Sequence, residues 1–183
     1  MNLRTALFVL AFAGTLPLAA HGQGHEHGAA RLDLALEGRL LSLQLEAPLE
    51  ALLGFERAPR NDAERRLVDV AVARLKASDR LFMPDAAGAC ALRRVELTSP
   101  VLKLGAGAGG AHAKPAGAGH ADLDAIIEFD CKDPTKLSFI EVVLFEAFPK
   151  MQRIDVQVAT DKGQSRRSLK RPANRITLPG PRQ

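Results

Sequence analysis

Tryptophan and tyrosine are absent from this 183-residue chain, and cysteine occurs only twice. Without Trp or Tyr the chain lacks the usual stacking platforms for single-stranded nucleic acid and the usual aromatic anchors of protein contacts. The sequence holds no Gly-x-Ser-x-Gly elbow, no His-Glu-x-x-His pair and no phosphate-binding loop. The glycines of 105–119 lack a Gly-Lys-Ser/Thr ending and a strand-to-helix setting. Glu46 and Glu50 are close in sequence, but acidic surface pairs are common and nothing beside them suggests a cleft. With base, nucleophile and oxyanion donor all unfilled, the chain is expected not to be an enzyme. Acidic residues stop at Asp161, and after the first twenty-two residues no apolar run reaches the length of a membrane span.

What is present begins with an export pattern. Arg4 supplies a positive start, Ala6–Ala13 (ALFVLAFA) an apolar run too short for a membrane anchor, and Ala19, Ala20 and Gly22 the small residues a processing peptidase needs. Residues 1–22 therefore read as a signal peptide, cleaved after Ala20 or after Gly22, of an exported chain. Residues 23–183 are enough for a single domain with a real core. An export signal also argues against nucleic acid as a partner.

The charge is unevenly spread. Removing Arg4 with the leader leaves 24 basic residues against 21 acidic ones. Seven of the basic residues lie beyond Asp161: Lys162, Arg166, Arg167, Lys170, Arg171, Arg175 and Arg182. The stretch 21–161 thus carries 17 basic against 21 acidic residues. A mildly acidic body suits cation capture. The basic C-terminal stretch suits either an anionic surface or the protection of edge strands from aggregation.

In an exported chain two cysteines, Cys90 and Cys131, are most simply a disulfide. It would close a loop of about 40 residues, contributing roughly 4 kcal/mol in the chain-entropy model. Thiolate ligation of a metal is the alternative, but the close Cys-x-x-Cys spacing of such sites is missing.

Hydropathy periodicity gives the fold class. Leu32, Leu34, Leu36 and then Leu41, Leu43, Leu45 alternate about Glu37-Gly38, which predicts a hairpin with one buried face. Pro48–Gly54 reads as a short helical turn and Phe55–Pro59 as a loop. Asn61, with Glu64 three residues on, is a capping box opening a helix over 62–77, whose apolar stripe is Leu67, Ala71, Val72 and Leu75. Further strands are expected at Arg94–Ser99, Asp122–Cys131, Phe139–Phe145, Ile154–Ala159, Ser165–Leu169 and Ile176–Leu178, with a turn at Lys162-Gly163. Leu104–Gly119 is mostly Gly and Ala and reads as a flexible loop, 104–119. The sum is α+β: a mainly antiparallel β-sheet with one principal amphipathic helix, a flexible His-bearing N-terminal arm and a mid-chain Gly/Ala-rich loop.

The five histidines fall in two places only: His21, His25 and His27 after the leader, His112 and His120 in the Gly/Ala-rich loop. Imidazole is the commonest transition-metal side-chain ligand, and short His tracts read first as metal binding. The arm alone offers two or three ligands, whereas tetrahedral zinc takes four, or three plus water. His112 or His120 would complete the set if loop and arm meet, and Asp122 and Asp124, just past His120, would add oxygen. Cu²⁺ and Ni²⁺ suit the same ligands and often bind more tightly than Zn²⁺. The reading outside metals is an interaction module of the cell envelope, using Leu144, Phe145, Phe148 and Pro149 (LF-x-x-FP) and the basic tail as contacts, although burial preference places Phe145 and Phe148 in the core.

Five strings carry a more specific likeness: HEHGAARLDLALEG at 25–38, APLEALLGFERAP at 47–59, CALRRVELTSPVL at 90–102, HADLDAIIEFDC at 120–131 and EVVLFEAFPKMQRIDVQVATDKGQ at 141–164. In this order they resemble the ZrgA-type family of zinc-regulated, zinc-binding periplasmic proteins of proteobacteria, over nearly the whole exported chain. The resemblance implies capture or buffering of Zn²⁺ in support of zinc uptake, with a periplasmic or inner-membrane importer component as partner. The family's initial His motif matches His25 and His27, and its mid-chain His-rich loop matches His112 and His120. Two departures count. Gly and Ala fill most of a loop that is often a run of His and Asp in relatives, and Arg57 stands where relatives often have His in GFEHAP. Glu56, beside Arg57, reads as that arginine's partner more than as a metal ligand.

Overall fold

The computed structural model describes residues 28–105 and 121–179. The expected signal peptide and arm, through His27, lie outside the described residues, as does 106–120, most of the expected flexible loop.

The Leu alternation produces the predicted hairpin. Strand β1 (Ala29–Glu37) pairs antiparallel with β2 (Leu40–Pro48), from Arg31 opposite Glu46 to Glu37 opposite Leu40. Gly38 turns the chain at φ +56°, which glycine accepts without the Cβ clash other residues meet. A short helix, α1 (Leu49–Leu53), follows and ends on Gly54 in the left-handed conformation. Helix α2 (Asp62–Lys76) opens where expected: the Asn61 side chain accepts from the Glu64 amide at 2.9 Å. Glu64 reaches one residue further back than a capping box requires and accepts from the Arg60 amide at 2.7 Å. The apolar stripe is rotated from the expected one. Ala71 and Leu75 are buried and Val68 packs on the core, but Leu67 is 52 % exposed.

Seven strands follow α2. Strand β3 (Phe82–Pro84), too short for a periodic signal, leads to β4 (Cys90–Thr98) and β5 (Asp122–Cys131). Strand β6 (Phe139–Val142) is shorter than the predicted 139–145. The Val143 amide turns to the Leu81 carbonyl, and Leu144 begins helix α3 (Leu144–Ala147). Then come β7 (Arg153–Thr160), β8 (Gly163–Lys170) and β9 (Arg175–Thr177), with β7 and β8 joined by the tight turn at Asp161-Lys162.

The strands form a six-stranded sheet, β4-β5-β2-β1-β7-β8, and a three-stranded sheet, β3-β6-β9. All pairs are antiparallel except β1 with β7. The α+β class, antiparallel-dominated with one principal helix, is thus the observed one. One face of the large sheet is apolar: Leu32, Leu34, Leu41, Leu43, Leu45, Ile127, Phe129, Ile154 and Val156 are all buried. Phe82, Ile140, Val142 and Ile176 of the small sheet join them in one core, with Phe145 and Phe148 each 2 % exposed. The LF-x-x-FP phenylalanines therefore pack the interior and offer no contact surface. The other face of the large sheet is polar and open, following the two-residue period of each strand.

Candidate metal-capture site

The six-stranded sheet has two ends, and the cysteines mark one of them. Cys90 and Cys131 are opposite partners of β4 and β5 and are bonded, with S–S 2.05 Å across a sequence separation of 41. The bond staples the β4–β5 hairpin at its open end. The connection carrying His112 and His120 leaves from the other end, about nine residues or roughly 30 Å along β5 at the rise of a strand. Ends of that connection are set by strand pairing, not by the disulfide. Thr98 pairs with Asp124, and Ser99 and Leu104 bond reciprocally at 3.3 and 3.0 Å. Gly105 sits so close that a Cβ there would lie 2.9 Å from the Thr98 hydroxyl.

At this same end the N-terminal segment joins the sheet. Pro48 of β2 pairs with Asp122 of β5, and the Leu49 amide donates to the Ala121 carbonyl at 2.7 Å. On the other side of β2, continuing the β1 register two residues past the Arg31–Glu46 pair brings Ala29 level with Pro48. Ala29 and Asp122 therefore flank one strand and lie two strand spacings, roughly 10 Å, apart. His27 precedes Gly28 in the chain, and His120 precedes Ala121. His21, His25, His27, His112 and His120 themselves lie outside the described residues. The structure brings together the two backbones that continue them.

Asp124 and Asp122 are the expected oxygen ligands that the structure describes, and Asp122 stands nearer the His-bearing connection. It is the first residue of β5, half-buried, and its backbone carbonyl accepts from the Ser99 hydroxyl at 2.8 Å. Its Oδ1 is buried and accepts no hydrogen bond from any described residue. A buried carboxylate oxygen without a donor costs desolvation that nothing returns, unless a cation or donor meets it. Asp124 lies on the same open face, opposite both Glu46 and Thr98. Carboxylates gathered at one sheet end lower the local potential and favour cations. Among the described residues no group of three or more His, Cys, Asp or Glu is placed to hold an ion.

The Arg57 segment lies at this end too. A Cβ on Gly54 would meet the Lys150 side chain at 2.5 Å, and one on Gly28 would meet the Lys150 carbonyl at 3.2 Å, so both glycines flank the same lysine. Three residues on, the Arg57 guanidinium stacks over the Phe55 ring at 5.0 Å. It forks onto Glu64 at 2.7 and 2.9 Å. That guanidinium, and then the Arg60 amide, hold the Glu64 carboxyl down to about 2 from its ordinary 4.5. Residue 57 is thus committed to locking the loop onto α2. Sequence neighbours alone could not reveal a pairing seven residues apart that depends on where the helix starts.

A shallow groove of about 550 Å³ crosses the open face over β2, β1, β7 and β8. Its cations are engaged locally: Arg31 pairs with Asp33 at 3.0 Å and Arg166 donates to the Gln157 amide oxygen at 3.0 Å.

A family model described as ZrgA family zinc uptake protein matches residues 24–178. Comparison with curated proteins gives no match. The chain belongs to the ZrgA family of zinc uptake proteins.

Proposed function

We propose that this family member is a periplasmic zinc-binding protein, not an enzyme, that captures or buffers Zn²⁺ and passes it to an importer component. The zinc-uptake family supports the metal. The observation that carries the mechanism is the meeting of two backbones at one sheet end. The strand that continues His27 and the strand that continues His120 flank β2 about 10 Å apart, a gap that two or three residues of extended chain would span. His25 and His27 from the arm, His120 and His112 from the loop, and Asp122 from the sheet would then supply nitrogen and oxygen ligands to one ion, with His21 present if cleavage follows Ala20. Neutral imidazoles make capture reversible, since protons compete for the same nitrogens. The orphaned Asp122 Oδ1 fits an oxygen ligand for zinc. No described helix is long and apolar enough to cross a membrane. Protein purified untagged from the periplasm and assayed for metal tests the reading: zinc supports it, copper or nickel would reassign the cargo, and metal-free protein that fails to take up zinc would refute it.

A further inference from the structure

The two edges of the six-stranded sheet are finished differently. At one edge, β4 carries a bulge between Leu92 and Arg94, and α2 and the turn at Ser78–Arg80 pack against it. Its Arg94 is neutralised by Glu96 and by Glu128 at 3.7 Å. Bulges, cover, proline and charged side chains are the ordinary means of blunting an edge. At the other edge, β8 carries charge but neither bulge nor proline. It pairs with β7 in unbroken register from Thr160 opposite Gly163 to Arg153 opposite Lys170. It contains no proline, and among the described residues no strand lies along its outer side.

The charge on this edge has one sign. Lys162, Arg166, Arg167 and Lys170 fall within nine residues that include no acid. Lys162 donates to the Thr135 carbonyl and Arg166 to an amide, and among the described residues none of the four pairs with a carboxylate. The remaining basic residues nearby have structural work. Arg171 donates to the carbonyls of Met151, Phe145 and Pro149 at 2.8, 2.7 and 3.1 Å, and Arg175 pairs with Glu141 at 2.6 Å. Arg166, Arg167 and Lys170 lie on β8 itself, whose outer side no described strand pairs, although the Lys170 carbonyl already accepts from the Ala173 amide at 2.8 Å.

We propose that the outer edge of β8 is a docking site for an acidic, extended segment of a partner protein, added as a seventh strand. Backbone hydrogen bonds would supply the affinity. Carboxylates at alternate positions of the segment would meet Arg166 and Lys170 on the open face, and one of opposite parity would meet Arg167. Lys170 is level with Arg153, and Arg153 with Ala29, so the added strand would pass the sheet end where the N-terminal segment joins. It would lie about three strand spacings, roughly 14 Å, from β1. The proposal does not depend on the metal reading.

The test titrates the exported protein at low ionic strength with an eight-residue peptide alternating Glu and Val, and reads amide exchange by NMR. The expected result is binding with slowed exchange confined to Gly163–Lys170. The triple variant Arg166→Glu, Arg167→Glu, Lys170→Glu should bind about tenfold more weakly, the size three exposed ion pairs of ordinary strength give together. A backbone N-methylated peptide of the same charge should fail to bind. Equal binding of the N-methylated peptide would reduce the site to diffuse attraction and overturn the seventh strand. So would indifference to the triple variant, or binding only to phosphatidylglycerol vesicles and not to the peptide, which would make the surface a membrane contact.

Discussion

The amide of Leu49 donates to the carbonyl of Ala121 at 2.7 Å, which fastens the end of β2 to the start of β5. Since β1 lies on the other side of β2, this bond fixes where two distant parts of the sequence meet: the residue after His120 on one flank and the residues after His27 on the other.

If those segments share an ion, His25→Ala and His120→Ala should each weaken zinc binding, and the double variant should lose less than the sum of the single losses. Calorimetric titration of the four proteins measures this. Additive losses would mean separate weak sites, because independent positions add and a common site does not. Asp122→Asn should show the same non-additivity with His120→Ala.

Zinc affinity should fall steeply between about pH 7 and pH 5.5, where imidazoles with a reference pKa near 6.5 take up protons. A competition assay with a chromophoric chelator follows it. An affinity that stays level through that range would assign the ion to carboxylates such as Asp122.

Removing the disulfide should separate stability from binding. Cys90→Ser with Cys131→Ser should cost about 2–5 kcal/mol in urea unfolding, as loss of a native disulfide in a small exported domain does. Zinc affinity of the folded variant should be unchanged, because the bond sits at the far end of the hairpin from Asp122. A large drop in affinity would revive the cysteines as ligands.

The Arg57–Glu64 pair should appear in acid. The folded Glu64 carboxyl is held at about 2 against an ordinary 4.5, so it binds its proton less readily in the native state. Its contribution is present above about pH 4.5 and is lost as pH falls through the range down to about 2, the usual sign for a depressed carboxylate. Glu64→Gln should flatten the stability–pH curve over that interval. An unchanged slope would show that the pair adds nothing to folding.

Much of the fold was legible because side chains on a half-buried strand alternate. Leu32–Leu36, Leu41–Leu45 and Asp122–Cys131 could be read as strands, and Asn61 as the start of a helix. The helix face was misread by one position, Leu67 for Val68, since the two lie within 100° of each other and only the packing partner decides between them. The parallel pairing of β1 with β7 was not legible, because it joins residues more than a hundred apart and no local pattern encodes the neighbour. Of the candidate site, residue types were readable and meeting place was not. His27 and His120 are 93 positions apart in sequence, and only the strand order β5-β2-β1 shows that the backbones beside them converge.

Placing the Cys90–Cys131 bond at one end of the hairpin and the His-bearing connection at the other has an evolutionary consequence. The β4–β5 register is already held by eight paired positions and a covalent link, so lengthening the connection costs only about 0.6 kcal/mol per doubling. Insertions and deletions there are nearly neutral for folding. The number of ligands a lineage carries in that stretch can therefore drift or be selected with metal supply, while the scaffold stays the same.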